Sequence, residues 1–295
     1  MRTISTLLGI GLMLALCSCG SDRGATGPIV VLSDTLSSGS DSVARARAAN
    51  RKRVEESHLA DSLRLAQVMK EALAFATEHV AEDTFSRRYE VLLDGVPMSV
   101  EIRSAYFFTK QFPHLMIRLQ EPNAIHIDIH SRANGRFEQV VSHEEWSMTY
   151  VNDTIRDING DGLADLVVNW YAVTGCCLKA FSDVYLLRAD RKAFYAPFEF
   201  INPTFAPHEH IVRGVCYGHP GETEMYKFKW NHERIDTVEY VHFETDSNSI
   251  RTGKILVSNK APFSPDFRIL RRLDRVPTEY RKINGYDWFT GEIYE

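Results

Sequence analysis

The spacing of hydrophobic residues changes from a helical period before residue 83 to a strand-like alternation after it. Residues 42–82 contain no Pro or Gly, and their apolar side chains recur every three or four positions, which predicts one long α-helix. The predicted packing face lies in the second half of this segment and comprises Leu59, Leu63, Ala66, Met69, Leu73, Ala76 and Val80. From residue 83 onward short segments alternate between apolar and polar residues, as is typical of β-strands. The pattern predicts a long N-terminal helix followed by a β-rich domain at 83–295.

The predicted strands follow one another at a spacing of about ten residues. Asp94-Gly95 lies between two alternating segments and predicts a tight hairpin turn, and residues 231–234 predict a second hairpin loop. Residues 166–171 are mostly apolar and predict a central strand, while the aromatic tail at 280–295 is expected to dock on the core. An antiparallel sandwich and an incomplete propeller-like arrangement both fit this spacing.

The first 18 residues resemble a bacterial lipoprotein signal peptide. Arg2 supplies the positive start, and the apolar stretch at 4–16 is too short for a transmembrane helix. The sequence Leu16-Cys17-Ser18-Cys19 resembles a lipobox, which predicts cleavage before Cys19 and lipidation of that residue. Secretion without a lipid is the alternative. We therefore expect a lipid-anchored protein of the bacterial envelope, in the outer membrane or periplasm, with cell-surface exposure as a further alternative.

Residues 19–41 are rich in Gly, Ser and Asp and predict a flexible tether between the lipid and the helix. The first half of the helix carries a basic cluster, formed by Arg45, Arg47, Arg51, Lys52 and Arg53. Such a cluster near an anchor is either a solvated helix face or a contact with anionic headgroups. The predicted organisation is a signal peptide at 1–18, the tether, the helix and the β-rich domain.

The most specific motif is the nine-residue loop at 157–165, which reads D-x-N-x-D-G-x-x-D. Calcium is coordinated by six to eight oxygens, and the first, third and fifth positions of such a loop turn theirs inward together. Gly162 permits the tight turn around the ion. The predicted calcium ligands are Asp157, Asn159, Asp161, the carbonyl of Leu163, and Asp165. Val168 occupies the position where an EF-hand needs Glu, so the loop is of another type, and a turn without metal is the alternative.

This loop resembles the calcium loop of FG-GAP/VCBS repeats in integrin-like propellers, although the motif occurs once in the chain. A second similarity, to bacterial periplasmic immunity and lysozyme-inhibitor-like lipoproteins, is carried by Asp183-Val184-Tyr185 and by residues 198–203 and 226–230. The second resemblance implies a β-rich binding protein that blocks a peptidoglycan hydrolase, with calcium holding its loops in place. No inhibitory residue of that family is matched here.

Three cysteines remain after the lipid-bearing one, namely Cys176, Cys177 and Cys216. An oxidising envelope favours a disulfide, and either Cys176 or Cys177 can pair with Cys216; a vicinal bridge is the strained alternative. A zinc or copper site from these thiols with His208, His210 or His219 is another reading of the same residues, but the spacing matches no standard motif.

Composition and motifs narrow the function classes. The net charge is −5 over 295 residues, which gives no general attraction to nucleic acid. His143-Glu144-Glu145 lacks the second His of a metalloprotease helix, and neither a nucleophile elbow nor a phosphate-binding glycine loop is present in the sequence. We therefore expect a non-enzymatic envelope binding protein with a structural calcium ion and an unidentified protein or glycan ligand. An envelope glycan hydrolase and a purely structural lipoprotein are the alternatives.

Overall fold

The computed structural model describes residues 37–133, 135–173 and 180–292, and over these residues the protein is mainly β, as the sequence predicts. The helix α1 spans Ser37–Glu78, so it begins inside the predicted tether and ends before the predicted boundary at 82. It crosses the boundary between two compact units, Met1–His58 and Leu59–Glu295. In the first unit the side chains described from Ser42 onward are exposed.

The packing face of α1 differs from the predicted one. Val68, Ala72 and Ala76 are buried against the first sheet, whereas Leu59 and Leu63 are 62% and 63% exposed. The small side chains of Ala72 and Ala76 allow the helix to approach the sheet closely, and the larger residues Leu65, Met69 and Leu73 flank them. Of the predicted face, Met69, Leu73 and Ala76 do pack on the sheet, whereas Ala66 is exposed and the face extends less far towards the N-terminus than predicted.

The first sheet is a five-stranded antiparallel meander. Its strands are β1 Phe85–Leu93, β2 Val96–Ala105, β3 His114–Gln120, β4 Ala124–Ala133 and β5 Arg136–Trp146. Asp94 and Gly95 join β1 to β2 with φ angles of 52° and 79°, the two left-handed residues that a tight hairpin turn requires. The predicted hairpin is therefore confirmed.

The second sheet is a four-stranded antiparallel meander. Its strands are β6 Tyr150–Arg156, β7 Asp165–Tyr171, β8 Ala180–Tyr185 and β9 Phe198–Ile201. Leu166, Val168 and Tyr185 on one face pack against the first sheet, while Val167 and Val184 on the other face pack against the third. Because both faces are covered, β7 is mostly apolar, as the sequence predicts for a central strand.

The third sheet is a six-stranded antiparallel meander followed by the C-terminal segment. Its strands are β10 Pro203–Ala206, β11 Ile211–Val215, β12 Met225–Asn231, β13 Arg234–Thr245, β14 Arg251–Ser258 and β15 Ile269–Leu273. The short helix α2, Tyr286–Thr290, and the turn before it cover the outer face, where Tyr280 and Phe289 are fully buried. The described part of Leu59–Glu295 is thus a stack of helix, three sheets and C-terminal segment, with one more sheet than a sandwich has.

Candidate functional site

The predicted calcium loop lies between two strands, β6 and β7, as expected. Its side-chain oxygens accept hydrogen bonds from backbone N–H groups of the same loop. Asp157 accepts hydrogen bonds from the backbone N–H groups of Gly160 at 2.6 Å and Gly162 at 2.9 Å. Asp161 accepts one from Leu163 at 2.8 Å, and Asn159 Oδ1 accepts one from the Asp161 N–H at 3.0 Å. The polar side chains of the loop therefore hold its own backbone in a tight turn.

Asp165 differs from the other loop carboxylates because it is fully buried. Its Oδ2 accepts a hydrogen bond from the backbone N–H of Ile158 at 3.0 Å, and its Oδ1 accepts one from Leu187 at 2.9 Å. Burial raises the pKa of Asp165 to about 7; the two N–H bonds oppose this rise, and the charges of Asp161 and Asp157 add to it. Asp165 thus closes the loop onto itself and onto the segment after β8.

The connection between β10 and β11 covers the loop. His210 Nδ1 lies 2.7 Å from the backbone carbonyl oxygen of Asn159. Gly160 has a φ of +84°, and a Cβ placed on it would lie 2.2 Å from the carbonyl oxygen of Pro207. Only glycine fits this position, so the loop is seated against the third sheet as well as the first two. The sequence predicted the turn glycines but not this close approach.

The loop supplies oxygen donors of the kind that a divalent cation prefers, but its three carboxylates are not among the described residues whose ligand atoms all lie within 4.8 Å of one another. Three carboxylates and one amide lie within nine residues, and the Asp157 and Asp161 charges reach the Asp165 carboxyl group. None of the ion pairs formed by described residues includes any of these three carboxylates. Calcium bound by Asp157, Asn159, Asp161, Asp165 and the Leu163 carbonyl would neutralise them.

A cleft of about 470 Å³ lies between the second sheet and the C-terminal segment. Polar uncharged side chains and aromatic rings dominate its wall, and Asp287 is the one carboxylate among the described residues that line it. The side chains relevant to binding are Asn152, Asn169, Tyr171, Ser182, Asn202 and Trp288. These residues are distant in sequence and were not singled out by any motif.

Three of these polar residues form a row across adjacent strands. Asn152 in β6 pairs in register with Asn169 in β7, which pairs with Ser182 in β8. Ser182 Oγ donates to Asn169 Oδ1 at 2.6 Å, and Asn169 Nδ2 donates to Asn152 Oδ1 at 2.7 Å. The chain of hydrogen bonds fixes the orientation of both amides. Alternation in each strand places the three residues on one face, but only the register between strands brings them together.

His143, Glu145 and Asp183 form a second polar group that sequence reasoning missed. A ring nitrogen of His143 and one oxygen of each carboxylate all lie within 4.8 Å of one another. The spacing of His143 and Glu145 places both on one face of β5, a signal that was available in the sequence. Asp183 comes from β8 in the next sheet, and no sequence pattern indicated that contact.

Of the three cysteines considered for the predicted disulfide, Cys216 lies among the residues that the structure describes. Cys216 is half-buried, and burial raises the pKa of its thiol well above the usual range, with the charge of Glu224 adding to the rise. Cys176 and Cys177 lie outside the described residues, as do the lipidation site Cys19 and the signal peptide. His210, one of the residues of the alternative thiol–imidazole site, instead contacts the calcium loop.

No helix of the described residues has the length and apolar content needed to cross a membrane. Comparison of the chain with protein-family models, with curated proteins and with solved structures finds no match.

Proposed function

We propose that the protein is a lipid-anchored binding protein of the bacterial envelope that holds a neutral glycan in the cleft beside the second sheet. The observation that supports this most directly is the in-register row of Asn152, Asn169 and Ser182, flanked by the rings of Tyr171 and Trp288. Calcium in the loop at 157–165 has a structural role in this proposal, and the lipid on Cys19 holds the domain near its membrane.

The chemistry of the cleft favours a hydroxylated, uncharged ligand. Amide and hydroxyl side chains each offer both donors and acceptors, which matches the donor and acceptor character of sugar hydroxyls. The hydrogen bonds among Ser182, Asn169 and Asn152 fix the orientation of these side chains before a ligand arrives, so less conformational freedom is lost on binding. Tyr171 is 52% exposed, which leaves its ring available for the apolar face of a sugar ring.

Calcium and the cleft are linked through two strands. The loop joins β6, which carries Asn152, to β7, which carries Asn169. An ion that holds the loop closed also holds the register between these strands, and the register aligns the two amides. Calcium removal is therefore expected to weaken glycan binding as well as to lower stability.

The cleft favours binding over hydrolysis. Glycoside hydrolysis ordinarily requires two carboxyl groups on either side of the scissile bond. Of the described residues that line the cleft, Asp287 alone carries a carboxylate. The pair formed by Glu145 and Asp183 does not line this cleft.

Inhibition of a cell-wall hydrolase remains the functional class that the family resemblance suggests, and a protein partner would then compete with the glycan.

Isothermal titration calorimetry with chito-oligosaccharides and soluble peptidoglycan fragments tests the proposal. Asn152→Ala and Tyr171→Ala are each expected to weaken the Kd about tenfold, which corresponds to about 1.4 kcal/mol. Phe263→Ala is the matched control, because this ring is fully exposed and does not line the cleft. Absence of binding to every saccharide, or equal affinity in the wild type and both cleft variants, would refute a glycan site here.

A further inference from the structure

We infer that His143, Glu145 and Asp183 form a second metal site, specific for a divalent transition metal of the zinc class and distinct from the calcium loop. One ring nitrogen and two carboxylate oxygens already lie within 4.8 Å of one another. Ligands around tetrahedral zinc, at about 2.1 Å from the ion, lie about 3.4 Å apart. Small side-chain rotations would therefore bring the three ligand atoms to the spacing that zinc requires.

His143 is prepared to act as a metal ligand. The residue is 8% exposed, and its buried Nε2 has no hydrogen-bond partner among the described residues. Its Nδ1 lies 2.8 Å from the hydroxyl of Tyr185. If Nδ1–H donates to Tyr185, the lone pair of Nε2 is free for a metal, which is the arrangement common among metal-bound histidines. An ion at Nε2 would satisfy a buried polar atom that no described residue bonds.

Each carboxylate is also oriented by a neighbour. Asp183 Oδ2 accepts a hydrogen bond from Trp170 Nε1 at 3.0 Å, which leaves Oδ1 for an ion. Glu145 Oε1 accepts hydrogen bonds from the Trp146 backbone N–H, at 3.0 Å, and from the Thr149 hydroxyl, which leaves Oε2. All three ligands therefore have the outer hydrogen-bonding partners that hold metal ligands in place.

No basic side chain among the described residues forms an ion pair with either carboxylate of this cluster, Glu145 or Asp183. A divalent cation between the two carboxylates would remove their mutual repulsion.

The donor set indicates which metal binds. Imidazole nitrogen with carboxylate oxygen suits zinc and its neighbours, whereas calcium sites use oxygen alone. Three protein ligands leave at least one position for water or another molecule, as in zinc sites that are not purely structural. Because Glu145 belongs to β5 and Asp183 to β8, the ion would also join the first sheet to the second.

Calorimetric titration of the purified full chain with Zn²⁺ tests the inference. Excess Ca²⁺ is present to occupy the loop, and the cysteines are alkylated so that thiolates do not bind the metal. One Zn²⁺ per chain is expected. His143→Gln and Asp183→Asn are expected to weaken the Kd at least a hundredfold, and Tyr185→Phe about tenfold, through loss of the outer hydrogen bond. Glu144→Gln is the control, because its exposed carboxylate neighbours the site in sequence and is not one of the three ligands.

Two further measurements exclude misfolding as the cause of lost binding. Each variant is melted in a chelator, where a correctly folded variant gives a transition close to that of the metal-free wild type. The wild type is also titrated with Co²⁺, whose visible absorption reports nitrogen and oxygen coordination without any substitution. Absence of Zn²⁺ and Co²⁺ binding by the wild type would overturn the inference, as would wild-type affinity in His143→Gln or Asp183→Asn.

Discussion

Asp165 Oδ1 accepts a hydrogen bond from the backbone N–H of Leu187 at 2.9 Å, so the last residue of the loop at 157–165 is bonded to the segment that follows β8. The same carboxylate holds Ile158 inside the loop through its other oxygen. Asp165 is thus a structural residue even without an ion. This separates it from Asp161, which is bonded only to neighbours within the loop.

Asp165→Asn is expected to destabilise the protein both with calcium and with a chelator. The NH2 group of the asparagine would face one of the two backbone N–H groups, that of Ile158 or that of Leu187. That N–H would lose its acceptor in a buried site, which costs about 1–3 kcal/mol of unfolding free energy. Urea denaturation under both conditions measures the loss. A loss that appears only with calcium would show that Asp165 acts solely through the ion.

Asp161→Asn is expected to lower stability mainly when calcium is present. The asparagine oxygen keeps the hydrogen bond from the Leu163 N–H, and water replaces the bond that Asn159 Nδ2 donates to the other oxygen, because Asp161 is exposed. One negative charge of the predicted ligand set is removed. The shift in melting temperature on adding calcium should therefore shrink relative to the wild type, while the melting temperature in chelator stays nearly unchanged. An equal loss under the two conditions would contradict a metal role for this residue.

Gly160→Ala is expected to be much more destabilising than Gly162→Ala. Both residues have φ near +84°, so each substitution carries the strain of a left-handed residue, about 1–2 kcal/mol. At Gly162 an added Cβ meets nothing within 4 Å, but at Gly160 it lies 2.2 Å from the carbonyl oxygen of Pro207. Denaturant unfolding of the two variants compares them directly. Similar losses would show that the β10–β11 connection does not press on the loop.

Acid is expected to destabilise the protein through His114, which is fully buried. Burial lowers its pKa from 6.5 to about 4, so below pH 6.5 the unfolded chain binds a proton that the folded chain does not. The stabilisation that the neutral ring contributes to the free energy of unfolding is complete above pH 6.5. It is lost as the pH falls towards 4, by about 3 kcal/mol in all.

His114→Gln tests this assignment. The variant should show a smaller loss of unfolding free energy between pH 7 and pH 4 than the wild type does. His232→Gln is the control, because this histidine is exposed, and its pH profile should match that of the wild type. Identical profiles for His114→Gln and the wild type would assign the acid sensitivity to other groups.

Local features of the fold could be predicted from the sequence, because their causes are local. The Asp94-Gly95 turn requires two left-handed residues, and the turn inside the loop at 157–165 is formed by the bonds from Gly160 and Gly162 to Asp157, which span three and five positions. The packing face of α1 could be predicted only in part, because contact with the first sheet decides that Val68 and Ala72 are buried while Ala66 is exposed.

The cleft and the second metal site could not be predicted because both depend on contacts between distant segments. Asn152, Asn169 and Ser182 meet only through strand register, and Asp183 reaches His143 only because two sheets pack together. Nothing in the spacing of these residues carries that information. The contact between Gly160 and Pro207 could not be predicted for the same reason, since 47 positions separate the two residues.

In each described sheet every strand pairs with its immediate neighbours in sequence, which affects how the chain folds. Such pairings have low contact order, so each meander closes only short loops and can form quickly on its own. One face of each sheet is buried only when the next meander packs on it, so folding is expected to proceed from the first sheet to the third. The segment Tyr286–Thr290 packs last, and its docking completes both the outer core and the wall of the cleft.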